Sequence, residues 1–402
     1  MSPAGTPPRA RPRDPRLDFF RGLAMFIIVM AHTPGNVWTL WIPARFGFSD
    51  AAEIFVFCSG MASAIAFGGT FASRGWILGA VRTLFRVWQV YWAHIGAFLV
   101  TAALMAVLTA AEVTGKDYVD RLNLWPFFTD PATNLPALLT LSYVPNYFDI
   151  LPMYLVILAM LPLAVALARV HVGLVAVAAG TLWLAANLGQ VALPAEPWSE
   201  RTWFFNPFGW QLLFFTGFGF MAGWLPAPRV SGRGIAVAVA ILILSLPFAY
   251  FRLRHAVPFL DEAAGELRPL TAKSPFGLLR YVHFLALAYL AWIAVGVNGV
   301  RLRVEGRSGR VVAVIRKVGQ QSLAVFVTGI VLAQLLGVLL DLIGRGPLQT
   351  LAANLLGMAG VIATAYFVGW IKSVPWKRAA ATKDAPDLPR AGEGVRPVEA
   401  RP

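Results

Sequence analysis

The chain has 402 residues, of which 58% are hydrophobic and 13% are charged, and its formal net charge is +14. Soluble domains carry roughly a quarter charged residues, so this composition excludes an ordinary soluble protein. The positive charge does not indicate a nucleic-acid partner, and we expect none, because no basic stretch is interleaved with aromatic residues. The single cysteine, Cys58, excludes an intramolecular disulfide.

Apolar runs close to the membrane-crossing length of about 20 residues recur along the chain. They predict an all-α, polytopic integral membrane protein of about ten transmembrane helices. The predicted spans are 18–38, 49–69, 84–110, 149–168, 173–190, 206–224, 234–251, 278–298, 318–341 and 348–371. With the N-terminus inside, most of the 34 Lys and Arg residues fall in cytoplasmic segments, as the positive-inside rule requires. An even number of spans then leaves both termini in the cytoplasm.

The domain organisation is predicted to be one membrane domain, 16–371, between two tails, 1–15 and 372–402. The first tail is rich in Pro and Arg and the second is polar, so both are predicted to be disordered. The first apolar run lacks a small-residue cleavage site, which favours a retained helix over a signal peptide. No internal repeat, phosphate-binding loop or metal-spaced Cys/His cluster appears, and no metal site is predicted.

Two loops on the predicted outer side differ from ordinary connections. Segment 111–148 contains many aromatic residues among Pro and Asn, which suits re-entrant or interfacial pieces that meet a carbohydrate. An aromatic belt at the membrane surface is the alternative. Segment 252–276 carries charges of both signs, which is more typical of a solvated loop than of a site.

The first span carries Arg21 and His32, two residues that a purely structural membrane helix would avoid. They are eleven residues apart, or about three helical turns, so both lie on one face and about 16 Å apart along the axis. The second span begins with Asp50 and Glu53, neighbours on its first turn. If the two helices are antiparallel, these carboxylates approach His32.

The spacing of Arg21 and His32 resembles the arginine-to-histidine signature of the acyltransferase-3 superfamily. Six motifs resemble one branch more closely, the OpgC family, in order from about Arg13 to about Ile371. They are RDPRLDFFRG, GFSDAAEIFVFCSG, VPNYFDILPMY, FNPFGWQLLF, HFLALAYL and GQQSLAVF. OpgC proteins attach succinyl groups to osmoregulated periplasmic glucans. The resemblance implies a bacterial inner-membrane protein with a cytosolic acyl-CoA donor, succinyl-CoA being the candidate, and an outer sugar acceptor. No permanently bound cofactor is expected.

The predicted chemistry centres on His32, which can act as general base because an unperturbed histidine titrates near working pH. A carboxylate can orient the ring and stabilise its cationic form, with Glu53 the preferred partner and Asp50 the reserve. Arg21 can hold a CoA phosphate in its planar fork, and Asp18 can hold Arg21 by an i,i+3 pair. The alternatives are interhelical bonding for His32 and positive-inside anchoring for Arg21.

Three further clusters open spans in their predicted outer halves, where they could form an acceptor pocket. Trp210 or Tyr147 could stack on a sugar, and Arg280 could meet a donor carboxylate such as that of succinate. Interhelical hydrogen bonding is the alternative for each cluster. The clusters are Asn146, Tyr147 and Asp149; Asn206, Trp210 and Gln211; and Arg280 and His283.

The predicted function is therefore a membrane-embedded O-acyltransferase that moves an acyl group, with succinyl as the candidate, to a periplasmic glucan or another sugar. The partners are the lipid bilayer, acyl-CoA and the carbohydrate acceptor. Two alternatives remain: a small organic-anion transporter, and a non-catalytic partner in polysaccharide export. Transporters often carry two-fold internal repeats, and none is visible here.

The charge asymmetry yields a prediction about topology. A reporter active only in the cytoplasm should work when fused after Arg233 or Arg310, because these residues lie in predicted inner loops. It should fail after Lys116 or Arg268. A working cytoplasmic reporter at Lys116 would reverse the orientation and move His32 to the wrong side of the membrane.

Overall fold

The structure is a computed structural model and describes residues 14–377. Both predicted tails lie largely outside these residues. The α-helices are α1 (Pro15–His32), α2 (Ala51–Ser63), α3 (Gly69–Arg74), α4 (Trp76–Ala110), α5 (Tyr118–Arg121), α6 (Trp125–Thr129), α7 (Pro131–Leu139), α8 (Ile150–Val170), α9 (Val172–Asn187), α10 (Pro207–Ala222), α11 (Gly232–Ala249), α12 (Phe251–Ala256), α13 (Pro258–Glu266), α14 (Arg268–Thr271), α15 (Leu278–Val295), α16 (Gly306–Gln320), α17 (Ser322–Ile343) and α18 (Pro347–Lys372). A π-helical segment, Ala64–Gly68, joins α2 to α3. Short 3₁₀ helices occupy Val37–Leu40, Pro43–Arg45, Val297–Leu302 and Pro375–Lys377.

The predicted fold class, an all-α polytopic membrane protein, is confirmed. Within residues 14–377, seven helical stretches are long and apolar enough to cross a membrane. They are Ala51–Arg74, α4, α8, α11, α15, α17 and α18. The other three predicted spans coincide with α1, α9 and α10. α1 carries three charged residues near its start, and α9 and α10 have 16 residues each, about 24 Å of helix.

Three of the predicted segments take a different form in the structure. α4 begins at Trp76 rather than near 84, because the helix continues through Arg82, whose charge interrupts the apolar pattern. Segment 111–148 forms the short helices α5, α6 and α7. Segment 252–276, predicted to be a solvated loop, folds as α12 to α14 followed by a connection that reaches the candidate site.

The end of α1 is fixed by side-chain caps just after His32. Thr33 donates its hydroxyl to the carbonyl of Val29 (2.8 Å), and Asn36 donates its amide to that of Met30 (3.1 Å). These bonds satisfy carbonyls that the last helical turn leaves without partners. Asn36 also exchanges two hydrogen bonds with Asn354 of α18, so the cap is tied to another helix. His32 is therefore held on a defined, terminated helix end.

α2 packs closely against α10 because glycine occupies both sides of their contact. A Cβ added at Gly60 would collide with the carbonyl oxygen of Phe214, and one added at Gly217 would collide with that of Phe57. Small residues let membrane helices approach until their backbones touch. The helix that Asp50 caps is therefore fixed against the neighbouring helix by backbone packing.

This packing predicts the effect of a single methyl group on stability. Gly60→Ala should lower the thermal melting temperature in detergent, because overpacking a tight contact costs about 1–3 kcal/mol. Gly96→Ala is the matched control, since a Cβ at Gly96 in α4 meets no atom within 4 Å. The control should leave the melting temperature unchanged or raise it, because alanine favours helix. Equal melting temperatures for both variants would contradict this account of the α2–α10 contact.

Candidate active site

A cavity of about 600 Å³ opens beside the end of α1 and the start of α2. Its acidic and basic lining residues are His32, Asp50, Arg121, Asp149, Arg201 and Lys273. They include two carboxylates, one histidine and three groups that carry a positive charge at neutral pH. The cavity therefore joins a potential proton acceptor to an excess of positive charge.

His32 is the last residue of α1, and its ring lies on the cavity wall. The ring makes an edge-on contact with Tyr147, with centroids 5.2 Å apart and planes inclined by 79°. No side chain in the described chain hydrogen-bonds its buried Nδ1 atom. Tyr147 therefore packs against the ring, and no carboxylate binds its Nδ1 atom.

Asp50 and Glu53 form a capping box at the start of α2. Asp50 accepts a hydrogen bond from the amide of Ala52 (2.7 Å), and Glu53 accepts one from the amide of Asp50 (2.7 Å). Both carboxylates satisfy amide groups that a helix start leaves open. The short sequence Asp-Ala-Ala-Glu thus fixes the start of α2 and the direction of both acids.

Two cations more than 200 residues later in the sequence complete a four-charge group, defined as Asp50, Glu53, Lys273 and Arg280. Lys273 Nζ lies 2.5 Å from Asp50 Oδ2, and Arg280 Nε lies 2.5 Å from Glu53 Oε1. A terminal nitrogen of Arg280 is also 3.6 Å from Asp50 Oδ2. The group is electrically neutral overall. Asp50 and Lys273 line the cavity, whereas Glu53 and Arg280 are buried behind them.

The preferred pairing of Glu53 with His32 needs correction. Glu53 is fully buried, and its two oxygens are bound by the Asp50 amide and by Arg280. No hydrogen bond joins Glu53 to His32 within the described residues. Asp50, the reserve candidate, is the carboxylate of α2 that shares the cavity with His32.

The cluster of Asn146, Tyr147 and Asp149 comes together at the cavity as predicted, since all three residues line it. Asp149 Oδ1 accepts a hydrogen bond from the amide of Phe204 (3.3 Å), which links two loops of the wall. Tyr147 has a positive φ of 72°, an uncommon conformation for a tyrosine. Their binding role remains a prediction.

Asn206, Trp210 and Gln211 do not line the cavity, because their polar atoms bind backbone groups elsewhere. Asn206 caps α10 and donates to the carbonyl of Val191 (2.8 Å). Trp210 donates its indole N–H to the carbonyl of Lys273 (2.9 Å). Gln211 donates to the carbonyls of Ala179 (2.8 Å) and Phe208 (3.1 Å). In the structure, Trp210 therefore makes a structural contact with the backbone instead of the predicted stacking on a sugar.

Arg280 and His283 also lie outside the cavity lining. Arg280 is held by the two carboxylates of the four-charge group and is buried behind the cavity lining, so it does not present its guanidinium to a ligand there. His283 Nδ1 lies 2.8 Å from the hydroxyl of Ser49, and its ring packs against Gly47 so tightly that a Cβ there would collide with it. Both residues support the segment that precedes α2.

Arg21 and Asp18 lie near the opposite end of α1 from His32. Arg21 donates a hydrogen bond to the hydroxyl of Ser322, the first residue of α17, and Asp18 is buried. α1 is a continuous helix between Arg21 and His32, which confirms that about three turns separate them. The proposed Asp18–Arg21 pair and the binding of CoA phosphates remain predictions.

Sequence reasoning did not select three cations of the cavity: Arg121, Arg201 and Lys273. Arg121 is held by Asp341 (2.8 Å), whose buried carboxylate also binds Lys116 and Arg345. Arg201 binds Glu196 (2.9 Å) and the carbonyl of Val144 (2.9 Å). The available signal was weak: each of the three cations lies in an outer segment that also carries acidic residues. It did not indicate which of these cations would meet.

The comparisons with known proteins support one relationship. The chain matches the family described as OpgC protein over residues 13–373. No curated protein sequence and no solved structure matches it. Family membership supports a transferase role of the OpgC kind in glucan modification. Because the match covers nearly all of the described residues, the chain belongs to the OpgC family.

Proposed function

We propose that the protein is a membrane-embedded O-acyltransferase that transfers an acyl group from acyl-CoA to a hydroxyl of a periplasmic glucan. The observation that carries this proposal is the cavity in which His32 and Asp50 meet three cationic side chains. Placing ionisable side chains inside a membrane costs free energy, so their convergence on one cavity favours a functional site over helix packing.

The reaction requires a base for the acceptor hydroxyl. His32 takes the proton as the hydroxyl oxygen attacks the thioester carbonyl carbon, and the carbonyl electrons move to oxygen. When the carbonyl double bond re-forms, the carbon–sulfur bond breaks, and the imidazolium passes the proton to the departing thiolate. Asp50 offsets the positive charge that His32 carries between these steps. No protein nucleophile is needed.

The charge of the cavity favours an acyl group with a free carboxylate, and succinyl is the candidate. Arg121 and Arg201 line the cavity, and guanidinium groups match a carboxylate with two parallel donors. Nη1 of Arg121 is buried and has no hydrogen-bond partner among the described residues. A bound carboxylate would supply that partner.

The proposed binding path of the acyl-CoA donor runs along α1, from Arg21 to His32. Arg21 is about 16 Å from His32 along the helix axis, a separation that an extended CoA molecule can bridge. Arg21 would hold CoA phosphates at the predicted cytoplasmic end, while the thioester reaches the cavity. The predicted orientation, with both termini in the cytoplasm of a bacterial inner membrane, places the acceptor on the other side.

The two rival functions differ from acyl transfer in what they predict for the release of CoA. An organic-anion transporter moves its ligand without releasing free CoA, and an export partner without catalysis also releases none. Incubating the purified protein with labelled acyl-CoA and a glucan should release CoA and label the glucan. Accumulation of the anion inside vesicles, with no CoA release, would support the transporter instead.

Loss of the general base should abolish most of the turnover. His32→Ala should reduce kcat by at least about 100-fold, the usual scale for general-base catalysis, without changing the melting temperature appreciably. His255→Ala is the control, because His255 is exposed on α12, away from the cavity lining. Near wild-type turnover in His32→Ala would end this mechanism.

Arg21 and His32 should affect different kinetic constants. Arg21→Ala should mainly raise the KM for acyl-CoA, because it removes a contact made in the ground state, whereas His32→Ala should mainly lower kcat. The measurement varies acyl-CoA at saturating acceptor in liposomes. Arg310→Ala, an exposed arginine of α16, is the control and should leave both constants unchanged. An unchanged KM with abolished kcat in Arg21→Ala would contradict the donor path.

A further inference from the structure

The connection between α14 and α15, residues 272–277, is fixed by neighbouring helices through its backbone carbonyls. The Lys273 carbonyl accepts from the indole of Trp210 (2.9 Å), and the Pro275 carbonyl accepts from the amide of Asn187 (2.9 Å). The Phe276 carbonyl accepts from the indole of Trp183 (2.7 Å). Three buried or half-buried side chains of α9 and α10 therefore bind one short segment.

Further contacts hold the same segment. The Ser274 carbonyl accepts from the amide of Asn206 (3.0 Å), and the Pro275 carbonyl lies so close to Gly209 that a Cβ there would collide with it. Phe276 is fully buried at a positive φ of 60°. A non-glycine residue in that conformation persists only when its surroundings impose it. The segment thus directs Lys273 from a rigid base.

The ammonium group of Lys273 reaches the cavity, and not all of its N–H donors bind protein atoms of the described residues. Its ammonium group has three N–H donors, and one of them binds Asp50 at 2.5 Å. That is its one side-chain hydrogen bond within residues 14–377. The side chain is 29% exposed, and its ammonium lies 5.4 Å from the ring centre of Phe205 and 5.9 Å from that of Phe204. The aromatic rings limit its movement, and the remaining donors are available to a ligand.

We propose that Lys273 is a catalytic residue that binds the oxyanion formed when the acceptor attacks the thioester. This inference rests on the proposed acyl transfer. Preorganised donors aimed at developing negative charge give one of the largest contributions to catalysis of acyl transfer. The Asp50 contact anchors the ammonium in the cavity that His32 also lines, and the clamped segment fixes the backbone from which its side chain extends.

Lys273 is better suited to this role than the two arginines of the cavity. Arg121 ends α5, Arg201 lies in the connection before α10, and the two are bound to the acids Asp341 and Glu196 respectively. Lys273 is bound to the acid that shares the cavity with His32. The geometry assigns the arginines to the distal carboxylate of the acyl group and the lysine to its carbonyl.

In the attack step, the acceptor oxygen forms a bond to the carbonyl carbon, its proton passes to His32, and the carbonyl π electrons become a lone pair on oxygen. Lys273 donates a hydrogen bond to that oxygen and keeps its proton. In the collapse step, the lone pair re-forms the carbonyl, and the thiolate of CoA leaves with the proton from His32. Lys273 is unchanged at the end.

The test compares Lys273→Met with wild type in liposomes, using succinyl-CoA and acetyl-CoA as donors and a glucose oligosaccharide as acceptor. Because the oxyanion forms with either donor, kcat should fall by about 100- to 1,000-fold for both, the range for a lost oxyanion donor, with each KM within about twofold. Arg254→Met is the matched control. It removes an exposed cation that is also paired to an aspartate at 2.5 Å, and it should retain wild-type kcat.

Several outcomes would overturn the inference while leaving the proposed function intact. A loss confined to succinyl-CoA would make Lys273 a carboxylate-binding residue, and a raised KM with unchanged kcat would make it a ground-state contact. A kcat within about threefold of wild type for both donors would remove it from the chemistry. Absence of CoA release by wild-type protein with either donor would refute the proposed function itself.

A second comparison applies if Lys273→Met fails to fold because Asp50 loses its partner. The double variant Asp50→Asn with Lys273→Met leaves no unpaired charge, and its reference is Asp50→Asn alone. The double variant should lose at least a further tenfold in kcat for both donors. Equal kcat values for the single and double variants would contradict the oxyanion role.

Discussion

The four-charge group at the start of α2 is the constraint on which the site depends. Glu53 and Arg280 are buried, Asp50 and Lys273 line the cavity in front of them, and a charge removed from water is costly unless it is paired. The capping box fixes the direction of the carboxylates, and Lys273 and Arg280 neutralise them. Removing any one member would leave the group with a net charge. The group therefore joins the N-terminal third of the chain to its C-terminal third, across 223 residues between Asp50 and Lys273.

The helix packing brings this group to His32. α1 ends at His32 because Thr33 and Asn36 cap its last carbonyls, and Asn36 is tied to α18. α2 is fixed by the glycine contact with α10, and α10 in turn binds the segment that carries Lys273. α10 thus positions both halves of the Asp50–Lys273 pair. A rigid scaffold of this kind suits chemistry that requires donors to be aligned before charge develops.

The first two helices were predictable from the sequence because their information is local. A period of 3.6 residues aligns Arg21 with His32, and Asp50 and Glu53 are separated by the spacing of a capping box. Lys273, Arg121 and Arg201 were missed because their meeting depends on long-range contacts that no local period encodes. Trp210 was predicted to stack on a sugar for a related reason. The sequence alone does not show whether a tryptophan contacts a ligand or donates its indole N–H to a backbone carbonyl. Glu53 was assigned to His32 because sequence spacing did not reveal Arg280 as its partner.

The central claim is that the acyl group reacts in the cavity formed by His32, Asp50 and Lys273. The most direct measurement is an experimental structure of the protein in lipid with a non-hydrolysable acyl-CoA analogue bound. The account predicts that the carbonyl group of the analogue lies in this cavity, within hydrogen-bonding distance of Lys273, with the CoA phosphates near Arg21. An acyl group bound outside the cavity, or CoA phosphates at the same end of α1 as His32, would contradict it.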